Sequence, residues 1–80
     1  MKARVVFNNE ALRSLYAELA SNIELADQSL REKHSGLDVE AVIPEARRSL
    51  ADVGLELSDT QLREYALSIS ERRDFEFVLE

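Results

Sequence analysis

His34 is the single histidine of the chain, and Asp27, Ser29 and Asp38 are the nearby residues that could complete a nucleophile, a base and an orienting acid. Such a set works only when its three groups meet in one cleft. Here the residues lie along one predicted helix and just beyond its end, where a histidine suits the helix dipole. We therefore expect no catalytic residues and a protein that is not an enzyme.

Pairs of carboxylates at helical spacing, Glu24 with Asp27 and Glu71 with Asp74, could offer oxygen ligands to a hard cation. Nothing in the sequence matches a calcium-binding loop, and carboxylates at this spacing usually face solvent. The chain has no cysteine, which excludes disulfides and thiolate metal sites. We expect neither a metal nor another cofactor.

The charge is strongly acidic, with 16 acidic and 10 basic side chains and a net charge of −6. An acidic surface repels the phosphates of nucleic acids, so we expect no direct nucleic-acid binding. It would suit a basic partner, or a protein that mimics nucleic acid. The basic residues are interleaved with the acidic ones, which is more typical of ordinary solvated helix faces than of mimicry.

The length of 80 residues predicts one domain, 1–80. A hydrophobic fraction of 45% and a charged fraction of 32% are typical of soluble globular proteins. No apolar run approaches the roughly 20 residues of a membrane span, and no signal-peptide core is present. We expect no membrane association and a cytoplasmic location.

Both ends of the chain alternate in the period of two that marks a β-strand with one buried face. The predicted inner faces are Ala3, Val5 and Phe7 at the start, and Phe75, Phe77 and Leu79 at the end. The outer faces carry Lys2, Arg4 and Val6 against Glu76, Val78 and Glu80. These complementary outer faces predict that the strands pair, and we expect an antiparallel pair that sets Arg4 opposite Glu80 and Val6 opposite Val78.

The first predicted helix runs from the N-cap Asn8 to the C-terminal turn at Lys33 and His34, where Gly36 ends it. Its apolar residues recur at alternating steps of four and three: Leu12, Tyr16, Leu19, Ile23, Ala26 and Leu30. A helix of about 26 residues would be about 39 Å long. It could be the central spine of the fold or half of a dimeric helix pair.

Residues 38–53 leave two alternatives open. Their apolar residues fit one helical face, but an interior Pro44 removes a hydrogen bond and crowds the preceding turn. Either a short extended piece precedes a helix that begins at Pro44, or one helix carries a kink there. We favour a helix from about Pro44 to Val53, ended by Gly54, and leave residues 39–43 unassigned.

The third predicted helix has the clearest start, because Ser58 and Gln61 form a capping box and Leu57 with Leu62 forms a hydrophobic staple. The fold class that follows is α+β and mainly helical. The predicted order is β-α-α-α-β, with the terminal strands in a small antiparallel sheet packed on the long first helix.

Two partial family resemblances point to small regulators that act by contact. Ser49, Val53 and Gly54, followed by Ser58, Leu62 and Tyr65, resemble the inhibitory helix of Fic-blocking antitoxins. Val53 stands where that family has its functional glutamate. The length, the acidity, the leading strand and helix, and the aromatic-acidic segment 74–77 are similar to DinI-type modulators of recombinase filaments.

An acidic surface, open sheet edges and the lack of a chemical site favour a small non-enzymatic regulator or inhibitor that binds another protein, of the antitoxin, immunity or phage and plasmid anti-host type. The alternatives are a structural homodimer or assembly subunit, joined through an edge strand or the long helix, and an acidic nucleic-acid mimic. Residues expected to bind the partner are Arg4, Val6, Phe75, Phe77, Glu76, Glu80, Glu18 and Glu24.

Overall fold

A computed structural model describes residues 1–79, and within them the chain forms four helices and two strands. The elements are β1 (Ala3–Phe7), α1 (Glu10–Leu15), α2 (Ala17–His34), α3 (Val39–Asp52), α4 (Asp59–Ser70) and β2 (Phe75–Leu79). The predicted α+β class and the two paired terminal strands are confirmed. Glu80, which the sequence placed in the last strand and at the binding surface, lies outside the described residues.

The two strands are parallel, so the predicted antiparallel pairing is wrong. Arg4 lies opposite Glu76, and Val6 lies opposite Val78. The charges on the outer faces are complementary in both the parallel and the antiparallel orientation. The four intervening helices provide the crossover that a parallel pair requires. Arg4 Nε donates to Glu76 Oε2 over 2.9 Å, and this bond raises the pKa of the Arg4 guanidinium.

The single long first helix is also wrong, because the helix is interrupted at Tyr16. Tyr16 ends α1 and precedes α2 with φ −116° and ψ 21°, outside helical geometry. Asn9 caps α1 in place of Asn8, accepting a hydrogen bond from the Ala11 amide over 2.9 Å. The break lets α1 contact both β1 and α2, whereas a straight 39 Å helix would exceed the molecule's longest extent of 37 Å.

Helix α3 resolves the ambiguous stretch as one helix from Val39 with Pro44 inside it, so the favoured start at Pro44 is wrong. Asp38 caps the helix by accepting from the Glu40 amide. The segment before Pro44 stays helical because Val42 is fully buried there, and Pro44 itself is exposed. Its position in the second turn leaves one carbonyl, that of Glu40, without its helical donor.

The predicted capping box of α4 is confirmed in both directions between Ser58 and Gln61. Gly36 and Gly54 follow α2 and α3 with φ of +82° and +90°, as expected of residues that end a helix. Every helix except α1 contributes buried residues to one core beneath the sheet. The ring of Tyr65 lies at its centre, with centroids 5.2 Å from Phe75 and 4.8 Å from Phe77.

Candidate functional site

The outward-facing edge of β1 is closed by two carboxylates of α2. In a parallel ladder alternate residues direct their backbone groups to opposite sides. Because Phe75 donates to the Lys2 carbonyl, the amides of Ala3 and Val5 point away from β2. Asp27 accepts from the Ala3 amide over 2.8 Å, and Glu24 accepts from the Val5 amide over 3.1 Å. These two amides are therefore not available as hydrogen-bond donors to a further strand.

Asp27 is the centre of a buried polar network that joins three elements. Its side chain is 1% exposed. One oxygen accepts from the Ala3 amide, while the other accepts from Arg31 Nε over 2.8 Å and from the Tyr65 hydroxyl over 2.7 Å. A buried carboxylate is tolerated when it is both paired and hydrogen-bonded, and Asp27 meets both conditions.

Arg31 carries the network on to the connection between α4 and β2. Its Nη1 donates to the Arg73 carbonyl over 2.6 Å, and its Nη2 donates to Ser68 Oγ over 3.0 Å. Ser68 in turn donates to the Tyr65 carbonyl. Within the described residues, no buried polar side-chain atom lacks a partner. The network consequently offers no spare group for chemistry on a ligand, and it fixes β1, α2 and α4 relative to one another.

Burial raises the pKa of the Tyr65 hydroxyl strongly, and the hydrogen bond to Asp27 raises it further. A tyrosinate here would lie beside the Asp27 carboxylate in a site that excludes water. Tyr65 is therefore a fixed hydrogen-bond donor and a poor general base.

The outward-facing edge of β2 differs from that of β1, because it is open. Phe75 donates to the Lys2 carbonyl and Leu79 accepts from Asn8, so the backbone groups of Glu76 and Val78 must point away from β1. Within residues 1–79, no side chain is hydrogen-bonded to either of these two amides. Unpaired strand groups of this kind are a template for another strand.

A small hollow of about 50 Å³ lies along β2. Leu55 and Leu57, from the segment between α3 and α4, line it together with Gln61 and the whole of β2. Both leucines are half-buried. On the opposite face of the sheet, the side chain of Val78 is 53% exposed. The open edge thus has an apolar floor on one side and a solvated strip on the other.

A larger groove of about 750 Å³ lies between the start of β1 and one face of α2. Arg4, Leu25, Gln28 and Arg72 are among its lining residues, and Leu25 is 61% exposed. Asp27 and Arg31 also line it, but their polar atoms are occupied in the buried network. The groove therefore has the volume of a ligand site, and its two buried charged residues have no polar atom left for a ligand.

Two of the residues considered for catalysis, Asp27 and Asp38, and two of those considered for a cation, Glu71 and Asp74, hold structural hydrogen bonds or ion pairs. The oxygens of Asp27 accept from Ala3, Arg31 and Tyr65, while Asp38 caps α3. Glu71 pairs with Arg73 and Asp74 accepts from the Lys2 amide. Within residues 1–79, no group of three acidic, histidine or cysteine side chains is placed to hold a metal ion.

The predicted partner-binding residues divide into three groups. Glu76 and the half-buried Phe75 lie on the open strand β2, and Arg4 and Val6 lie opposite on the outer face. Phe77 is buried in the core, so it is not a free anchor. Glu24 caps an amide at the edge of β1, and Glu18 lies exposed in the first turn of α2.

No protein-family model, curated protein or solved structure matches this chain. Among the described residues, no helix combines the length and apolar character that crossing a membrane demands. The candidate site is consequently defined by the geometry of the sheet edges alone.

Sequence reasoning missed both the Asp27–Arg31 pair and the difference between the edges. A signal for the first was present, since Asp27 and Arg31 are four residues apart and directly follow Ala26 and Leu30 of the apolar face. A charged pair so close to a buried stripe indicates a paired interior site. The closed edge had no such signal, because it depends on how α2 lies against β1.

Proposed function

We propose that this chain is a small acidic, non-enzymatic regulator that acts by binding another protein, and that the partner adds a strand to the open edge of β2. The observation that supports this most directly is the asymmetry of the sheet. The donors of Ala3 and Val5 are capped by Asp27 and Glu24, while those of Glu76 and Val78 are left for a partner. Addition of a strand is an established mode of peptide recognition.

The size of the sheet supports the same proposal. A two-stranded sheet is marginal by itself in water, and a third strand stabilises it. The buried polar side-chain atoms of the described residues all have hydrogen-bond partners, and the Tyr65 hydroxyl donates to Asp27. We therefore infer that the described surface serves recognition.

Val78→Pro tests the proposal directly. Proline removes the outward N–H of residue 78 but no hydrogen bond to β1, a position at which strands tolerate proline. Val78→Ala is the matched control, because it shortens the side chain and keeps the N–H. Circular dichroism and urea unfolding establish that both variants are folded.

The binding measurement is affinity capture from the source cells at physiological salt with the original chain and both variants. We expect a specific protein that is retained by the original chain and by Val78→Ala, and whose affinity falls at least about tenfold with Val78→Pro, from the lost hydrogen bond and the clash of the ring. Failure to recover any specific protein would overturn the proposed regulator function. Equal recovery with Val78→Pro would overturn the proposal that the partner binds at the edge of β2.

A second candidate is a structural homodimer through the same edge. An antiparallel pair of β2 strands with its two-fold axis at Phe77 would bond Glu76 to Val78 of the second copy, so that Glu76 does not face a second Glu76. Two copies that each carry a net charge of −6 repel one another, which favours a different partner. Light scattering over a range of concentrations separates the two, since only the dimer increases in mass and loses that increase with Val78→Pro.

A further inference from the structure

The surroundings of the open edge specify the chemistry of the strand that would fill it. This step rests on the proposed function, because it concerns the same edge of β2. A strand added there continues the alternation of the sheet, with every second side chain on the inner face and the others on the outer face. The two faces of the edge differ, so they select different residues.

On the inner face, the added side chains would lie over the hollow lined by Leu55, Leu57 and Gln61 beside β2. The two leucines are half-buried and already pack against the core. Aliphatic side chains of the partner would extend this apolar layer and bury the exposed parts of both leucines. Charged side chains would lose water there without gaining a partner.

On the outer face, the added strand would be the third in a row that contains Arg4 and Glu76. Arg4 lies on one side of Glu76, and the other side is open. The Glu76 side chain remains 50% exposed despite this ion pair, so its carboxylate has room for a second cation. A basic residue is the complementary neighbour, and the net charge of −6 favours the same sign.

We infer that the partner supplies an extended segment in which every second residue is aliphatic and at least one residue between them is basic. The segment hydrogen-bonds to the outward backbone groups of Glu76 and Val78. Its aliphatic side chains cover Leu55 and Leu57, and its cation shares Glu76 with Arg4. The observation that leads here is the juxtaposition of an apolar floor and a half-exposed carboxylate at the one open edge of the described sheet.

Three synthetic hexapeptides test this inference by calorimetry. The probe is Val-Lys-Val-Thr-Val-Lys; the second peptide has the same composition in blocks, Lys-Lys-Thr-Val-Val-Val; and the third replaces both lysines of the probe by glutamate. We expect the probe to bind at least tenfold more tightly than either of the other two. Equal binding of the block peptide would overturn the inferred alternation of aliphatic residues in the partner. Equal binding of the acidic peptide would overturn the inferred contact between a partner cation and Glu76.

Nuclear magnetic resonance places the peptide on the protein. We expect the probe to shift the amide signals of Glu76 and Val78 and the methyl signals of Leu55 and Leu57, and we expect Val78→Pro to abolish these shifts. Shifts confined to the groove beside Leu25 would overturn the location.

Glu76→Gln tests the carboxylate, with Glu64→Gln as its control. Glu64 is exposed on α4, and both variants change the net charge equally. We expect only Glu76→Gln to reduce the preference for the lysine probe over its glutamate version, by at least threefold, and an equal reduction by both would overturn the contact. If no peptide binds while a captured protein still needs the N–H of residue 78, the inferred partner chemistry fails and the proposed function stands.

Discussion

Tyr65 donates its hydroxyl hydrogen to Asp27 over 2.7 Å, across 38 residues of sequence and in the buried centre of the molecule. The same carboxylate accepts from Arg31 and from the amide of Ala3. One side chain of α2 is therefore bonded to α4 and to the first strand. These contacts of Asp27 hold the sheet against the helices, and its bond to Ala3 caps one sheet edge.

Asp27→Asn is expected to lower the free energy of unfolding by about 3–5 kcal/mol, because it leaves the buried Arg31 without its counter-charge. Its amide also lacks one of the two acceptor oxygens that Asp27 uses. Stability of an 80-residue domain is typically about 4–12 kcal/mol, so urea unfolding would detect a large shift. Glu24→Gln is the control, since its exposed oxygen can still accept from Val5, and we expect a change below about 1 kcal/mol. A similar loss in both variants would contradict the central role of Asp27.

Tyr65→Phe removes one donor to Asp27 and keeps the ring that packs on Phe75 and Phe77. We expect a loss of about 1–2 kcal/mol in urea unfolding, the usual cost of a buried hydrogen bond. Tyr16→Phe is the matched control, because Tyr16 is 44% exposed and no hydrogen bond of its hydroxyl is seen among the described residues. An unchanged midpoint for Tyr65→Phe would mean that Arg31 and Ala3 alone satisfy the carboxylate.

The raised pKa of Tyr65 predicts a loss of stability in alkali. The folded pKa lies above the unfolded value of about 10, so above that pH the folded state binds more protons than the unfolded state. The contribution of Tyr65 is fully present below about pH 10 and falls as the pH rises further. Urea midpoints between pH 8 and 11 should fall more for the original chain than for Tyr65→Phe. Parallel curves would contradict this source of the loss.

Hydrogen exchange should distinguish the two sheet edges. We expect the amides of Ala3 and Val5, which donate to Asp27 and Glu24, to exchange at least about tenfold more slowly than those of Glu76 and Val78, which the described residues leave open. Glu24→Ala should accelerate exchange at Val5 and leave Ala3 protected. Equal exchange on both edges would remove the basis of the proposed binding site.

Gly36 and Gly54 both have positive φ, and replacing either by alanine is expected to cost about 1–2 kcal/mol. The added Cβ at Gly36 would lie 2.5 Å from Arg72 Nη2, whereas nothing lies within 4 Å at Gly54. Because Arg72 is exposed and can move, we expect similar costs in urea unfolding. A much larger loss at Gly36 would show that the Arg72 side chain is held in place.

Much of the local structure could be predicted from particular residues. The capping box of Ser58 and Gln61, the stop at Gly36 and the alternating inner faces of the strands follow from rules that act over a few positions. The strand direction did not follow, because Arg4 finds a glutamate opposite it in either orientation. The break at Tyr16 has no proline or glycine to mark it, and it depends on how α1 lies against β1.

The proposed binding edge could be predicted only in part. Its strand carries Glu76 and Phe75, which the sequence indicated, but the selection of β2 over β1 depends on the carboxylates of Asp27 and Glu24. These occupy the donors of β1 only because α2 lies along that strand. A local pattern of residue types does not show how elements distant in sequence pack against each other.

The capped edge of β1 also has a consequence for the chain during its synthesis. β1 is synthesised before β2, whose partner residues follow 72 positions later. Until then β1 has no strand to pair with, and an uncovered strand in a nascent chain is prone to aggregation. Asp27 and Glu24 emerge only about 20 residues after the donors they cap. The helix can thus shield one edge of the first strand during translation, before the sheet itself can form.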